Sequence, residues 1–122
     1  MSVGSMLYGA ALSAVLALLA VRLIARERRP AVLATAALAG FLMPLCWNAI
    51  LRVTGATAAF SHDLPFRPFP VSWQDTGSGV FTLAGAATAL ALGAAGTDQS
   101  RRVAGFALIT AAAAFLIDIY TY

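Results

Sequence analysis

PAVLATAALAGFLMPLCWNAIL, residues 30–51, contains no charged residue and little that prefers water. At about 1.5 Å of rise per residue, a helix of this length crosses the roughly 30 Å hydrocarbon core of a bilayer. Three more uncharged runs accompany it: Met1–Val21, Thr76–Thr97 and Val103–Ile117. The 122-residue chain is 61% hydrophobic and 11% charged, so it lacks the charged outer faces that a soluble helical bundle needs. Its mean hydropathy of +0.84 agrees. The reading is a single all-α integral membrane domain of four transmembrane helices, at about 3–25, 30–52, 76–96 and 102–120. Between the second and third lies an extracytoplasmic loop of about 23 residues, 53–75, rich in Pro and aromatics.

The basic residues set the orientation. All eight are Arg, and most lie in the first connection, RERRP, and the third, GTDQSRR. The positive-inside rule places both connections in the cytoplasm, with both termini and the long loop outside. No positive charge precedes Met6–Leu19, whereas Arg22, Arg26, Arg28 and Arg29 follow it, which is the reverse of a secretory signal. The Ala-rich, Lys-free composition points to a GC-rich bacterial source and hence to the bacterial cytoplasmic membrane. The absence of Lys excludes a Schiff-base or Lys nucleophile mechanism. A single Cys (Cys46) and a single His (His62) make a protein-only metal site a poor expectation, and no cofactor is called for. The pI near 9.8 reflects membrane topology, because no basic face with interleaved aromatics exists to bind nucleic acid.

Small residues recur at four-residue spacing in the first helix (Ser5, Gly9, Ser13, Ala17) and the third (Gly85, Ala89, Gly93), which suits close helix approach within a bundle or between protomers. The second helix places Gly40, Pro44, Asn48 and Arg52 on one side. Pro44 removes a backbone donor and favours a kink, while Asn48 and Arg52 add polar groups toward the outer end.

Depth arithmetic gathers charge at that end. Asp118 lies about 24 Å along the fourth helix from Arg102, and Arg52 about 34 Å along the second from Arg29. Asp75 precedes the third helix, so Arg52, Asp75 and Asp118 share one layer. Ser72 and Asp75 have capping-box spacing, which makes a helix cap the expectation for Asp75. Asp118, near a helix C-terminus in apolar surroundings, must be paired with Arg52 or Arg67, or else protonated. Asn48, Gln74 and Tyr122 complete the candidate ligand or ion-pair cluster.

In LPFRPFP, residues 64–70, a polyproline II helix stacks Phe66 over Phe69 with Arg67 between. With Trp73 they form an apolar ridge suited to the membrane interface, to capping the bundle, or to docking a partner. Asp118, Asp75 and His62 are the candidate catalytic groups, but nothing in their spacing requires convergence.

Three functions follow. The leading one is an accessory or binding subunit acting through the outer loop and polar cluster, in contact with membrane lipid and assembled as a homo-oligomer or within a larger membrane complex. The second is an oligomeric small transporter or channel. Size and four-span format are similar to those of small multidrug transporters, although no ionisable residue stands before Arg22, where such transporters keep an embedded Glu. The third is a membrane enzyme acting on a lipid or isoprenoid-like substrate at the outer face, with Trp47, Phe60, Phe66 and Trp73 lining an apolar pocket.

Overall fold

The computed structural model of the chain describes residues 2–63 and 70–121. Among them all regular structure is helical: α1 Val3–Leu23, α2 Pro30–Val53, α3 Thr57–Phe60, α4 Trp73–Leu92 and α5 Ser100–Thr121. By length and composition α1, α2 and α5 are each able to cross a membrane. The uncharged runs place the ends of α1, α2 and α5 within about two residues of those observed, which is the ordinary spread at helix termini.

The ends that differ are those of α4. It starts three residues before the expected 76, because Ser72 is its N-cap and Asp75 lies in its first turn. It stops at Leu92 rather than 96, where residues 93–97 form a turn whose Ala95 N–H returns to the Leu90 carbonyl at 2.9 Å. Within the segment expected as one long loop, the described residues 54–63 and 70–72 include local structure. α2 closes in a Schellman turn: Ala56 N–H bonds the Leu51 carbonyl at 2.9 Å and Gly55 N–H bonds that of Arg52 at 3.3 Å. Gly55 supplies the required positive φ of 70°. α3 follows directly, and Asp63 then bridges to Ser72 in antiparallel fashion.

Short connections at 24–29 and 93–99 make α1 antiparallel to α2 and α4 antiparallel to α5. α1 packs on α2 and α5, α4 packs on α2 and α5, and α2 and α5 also meet across the middle. The result is a four-cornered up-down bundle. Its interior holds small and polar residues (Ala10, Ser13, Ala17, Ala36, Ala86, Ala107, Ala114), while Leu7, Val15, Leu19, Leu38, Leu42 and Leu108 face outward. That is the reverse of a water-soluble bundle and the arrangement lipid favours, where close backbone approach rather than apolar burial holds helices together. Pro44 is buried in the middle of α2, which runs as one element from Pro30 to Val53.

Candidate functional site

The core changes character along its length. At the end bearing the 24–29 and 93–99 turns, Val21, Val32, Leu90, Val103 and Phe106 form a tight apolar cluster, with a layer of Ala39, Ala86 and Ala107 above it. Toward the other end the inward positions become polar: Ser13, Asn48, Gln74, Asp75, Ser78, Thr82, Thr110 and Asp118 are all buried. This polar half is where the sequence placed its cluster.

Several of these groups are consumed as fasteners. The Gln74 side-chain amide donates to Asn48 Oδ1 at 2.8 Å, tying α4 to α2. From the neighbouring position on α2, the Trp47 indole N–H donates to the Gln74 carbonyl at 3.0 Å. Trp47 stacks edge-on to Phe60 of α3, centroids 5.6 Å apart, and tilted against Phe81 of α4 at 5.9 Å. Asp75 and Ser72 form a reciprocal capping box: Asp75 N–H donates to Ser72 Oγ at 3.2 Å, and Ser72 N–H donates to Asp75 Oδ2 at 2.8 Å. Two of the four N-terminal orphan N–H groups that a helix must satisfy are therefore not left to solvent.

Asp118 is different. It is 0% exposed, and both carboxyl oxygens lack a hydrogen-bond partner among the described residues. The Ser78 hydroxyl and the Asp75 carboxylate of α4 are near enough to act on it electrostatically, although no well-formed bond joins it to Ser78. Of the alternatives that the sequence left for Asp118, pairing with Arg52 is not formed: Arg52 is exposed and lines a separate cavity of about 260 Å³ with Met6, Asn48, Leu51 and Thr57. Depth arithmetic brought the two residues to one layer but could not tell which way each faces, and Arg52 sits at the last turn of α2 where its long side chain reaches solvent.

A second cavity of about 310 Å³ opens beside α4, lined by Ser61, Asp63, Ser72, Gln74, Asp75 and Ile119. His62 is exposed on its rim, with its carbonyl accepting from Trp73 N–H at 3.4 Å. Trp73 is 52% exposed, outside the Trp47 cluster. Arg67, Phe66, Phe69 and Tyr122 lie outside the described residues. Among the described residues no group of His, Cys, Asp and Glu is disposed to hold a metal ion, and Cys46 faces outward.

The sequence reading missed the charge network at the opposite end. Glu27, 2% exposed, receives Arg28 N–H (2.9 Å), Arg29 N–H (2.8 Å) and Arg29 Nε (3.1 Å) on one oxygen. Its other oxygen takes guanidinium N–H groups from Arg29 at 2.9 Å and Arg102 at 3.2 Å. Arg29 also forms a two-pronged pair with Asp98, so the two turns are clasped together. The Arg29 hydrogen bonds hold the Glu27 carboxyl at about 2, against burial that works the other way. Arg29 likewise lowers Asp98, and the two acids raise Arg29. Arg26, at φ 53°, makes the left-handed turn that folds Glu27 back over α1, whose Val21 carbonyl receives the Glu27 N–H at 3.4 Å. The one visible signal was an acid inside RERR, opposite another inside TDQSRR.

Comparison with protein families, with curated proteins and with solved structures finds no match to this chain.

Proposed function

We propose that the chain is a small four-span membrane protein that serves as an accessory or binding subunit, presenting the polar end of its bundle to a partner in a larger membrane complex. α4 provides the fourth span. It is held between α2 and α5, and Gln74, Asp75, Ser78 and Thr82 point into the bundle while Val80 and Leu92 face out. A helix whose polar stripe is internal crosses lipid at little cost. The Arg-rich turns at 24–29 and 93–99 face the cytoplasm, so both termini and the α2–α4 connection are extracytoplasmic. The membrane is the bacterial cytoplasmic membrane.

One observation carries the binding role. The buried polar groups of the outer end are spent on internal fastening, which gives a rigid seat for an exposed rim of Arg52, His62, Asp63 and Trp73. Such a rim offers charge of both signs and a large aromatic, the residue types that anchor contacts. Catalysis would need Asp75, His62 and Asp118 to converge, yet Asp75 is committed to a helix cap and His62 stands on the rim.

Native mass spectrometry of the protein gently extracted from its own membrane tests this. A stoichiometric complex with a different membrane protein, weakened by Trp73→Ala or Arg52→Ala, is the expected result. A homo-oligomer or monomer with no second protein bound overturns it. Asp118, buried without a basic partner among the described residues, favours as second reading an oligomeric small transporter or channel.

A further inference from the structure

We propose that Asp118 is a proton-binding site, resting as a neutral carboxylic acid inside the bundle and exchanging its proton only with the side at which Gln74 and Asp75 lie. The surroundings of Asp118 carry the argument. α5 packs against α1, α2 and α4. From α1 the nearby inward residues, Met6 and Ala10, are uncharged. From α2 comes the amide of Asn48, already engaged by Gln74, with Arg52 exposed beyond it. From α4 come the Ser78 hydroxyl and a second acid, Asp75. No cation among the described residues faces the group, and the C-terminal end of α5 adds the negative pole of its dipole. An ionised carboxylate buried there, unpaired and beside a like charge, carries a penalty of several kcal/mol. A neutral acid avoids it and gains a donor for Ser78.

Three hydroxyls, that of Ser78 included, extend inward from this point. Ser78, Thr82 and Ser13 are buried and lack partners among the described residues. Buried helical hydroxyls usually bond the carbonyl four residues back, as Thr110 does to Phe106 at 2.8 Å. The Ser78 and Thr82 hydroxyls stand one helical turn apart, about 6 Å, on the same stripe of α4. That stripe continues as Ala86 and Leu90 into the apolar cluster of Val21, Val32 and Phe106. Polar contact therefore ends part-way through the bundle, and the Arg-rich end is closed. Proton release leaves a carboxylate on Asp118 and a proton on water at the Gln74–Asp75 end; no other bond changes. The site itself rests on packing alone, and only its assignment to the extracytoplasmic side rests on the four-span orientation above.

The test uses the full chain in lipid vesicles with ¹³C-labelled aspartate. The chain has four aspartates, Asp63, Asp75, Asp98 and Asp118, so the carboxyl spectrum is simple. One protonated-acid resonance is expected at neutral pH. It should be lost in Asp118→Asn, kept in Asp75→Asn, and converted to carboxylate by raising the pH on the side of the 54–72 segment but not on the Arg-rich side. Four ionised aspartates at neutral pH overturn the proposal, as does a protonated signal that survives Asp118→Asn. Conversion driven from the Arg-rich side overturns the one-sided access. Should Asp118→Asn fail to assemble, Asp118→Glu with labelled glutamate decides: the protonated signal must move from the aspartate to the glutamate spectrum, and its absence from both refutes the site.

Discussion

Glu27 is the residue whose titration should govern acid stability. Five donor contacts converge on it, and its partners join the α1–α2 turn to the α4–α5 turn. Its carboxyl sits at about 2 in place of an ordinary 4.5. Because the folded value is the lower one, the stabilisation is complete above about pH 4.5 and disappears as pH falls through about 2. At about 1.36 kcal/mol per unit, the full difference is worth about 3.4 kcal/mol. Arg29 and Arg102 are 40% and 57% exposed, so water and salt weaken what Glu27 feels from them. A contribution of about 1.5 kcal/mol, roughly tenfold in the folded-to-unfolded ratio, is the reasonable expectation. Unfolding in a denaturing detergent, followed by the fluorescence of Trp47 between α2 and α4, gives the assay. The wild type should lose this increment between about pH 5 and pH 2.5, and Glu27→Gln should start lower at neutral pH and fall less. Asp98, also lowered by Arg29, accounts for the remaining slope, so the double variant with Asp98→Asn should be flat. Equal slopes for wild type and Glu27→Gln would refute the reasoning, as they would mean that the arginines give Glu27 nothing that solvent does not already supply.

Three further perturbations test the packing. A Cβ at Gly77 would run into the Trp47 indole, which is held by the Gln74 carbonyl and by Phe60 and Phe81, so Gly77→Ala should cost about 1–3 kcal/mol and shift Trp47 emission. Gly85→Ala meets the flexible Met43 side chain instead and should cost distinctly less in the same detergent titration. Ser72→Ala removes one arm of the α4 capping box; a loss of about 1 kcal/mol is expected, with hydrogen exchange rising first at residues 73–76. A double-mutant cycle on Asn48→Ala and Gln74→Ala should give a coupling of about 1 kcal/mol, and additive losses would show that this buried bond contributes nothing specific.

How much of this was legible beforehand follows from what sequence periodicity encodes. Runs without charge, such as 30–51, mark apolar helices directly, because lipid tolerates nothing else along their length. The capping box at Ser72 and Asp75 was equally readable, since it is local chemistry at fixed spacing. Contacts between helices were not. Asn48 and Gln74 were both noticed as polar residues near the outer end, but their bond depends on the rotation of α2 against α4, which Gly77 sets by admitting Trp47. The same lack of rotational information joined Arg52 to Asp118 when the two face different ways. Glu27 was overlooked because a lone acid among arginines reads as a diluted positive loop, and only the fold brings Asp98 and Arg102 to the same place.

The two ends of the bundle solve opposite problems, and this bears on what the protein can do. At the Arg-rich end every described acid has a basic partner: Glu27 has Arg29 and Arg102, and Asp98 has Arg29 and Arg102. Beneath that clasp the core is apolar. At the other end Asp75 and Asp118 approach each other with no base between them among the described residues, above the hydroxyls of Ser13, Ser78 and Thr82, which lack partners there. Packing alone would favour an apolar residue at position 118, where Ala114 and Val103 occupy the same stripe one and four turns away. A carboxyl held there with no counter-ion among the described residues is costly whenever it is ionised. A ligand that neutralises the group relieves this cost, and the smallest one that fits a fully buried site is a proton. A partner of the kind proposed above, bound at the exposed rim of Arg52, His62 and Trp73, would change the access of water to that site, and so its affinity for the proton. By reciprocity the proton would then bias the partner's binding by the same factor.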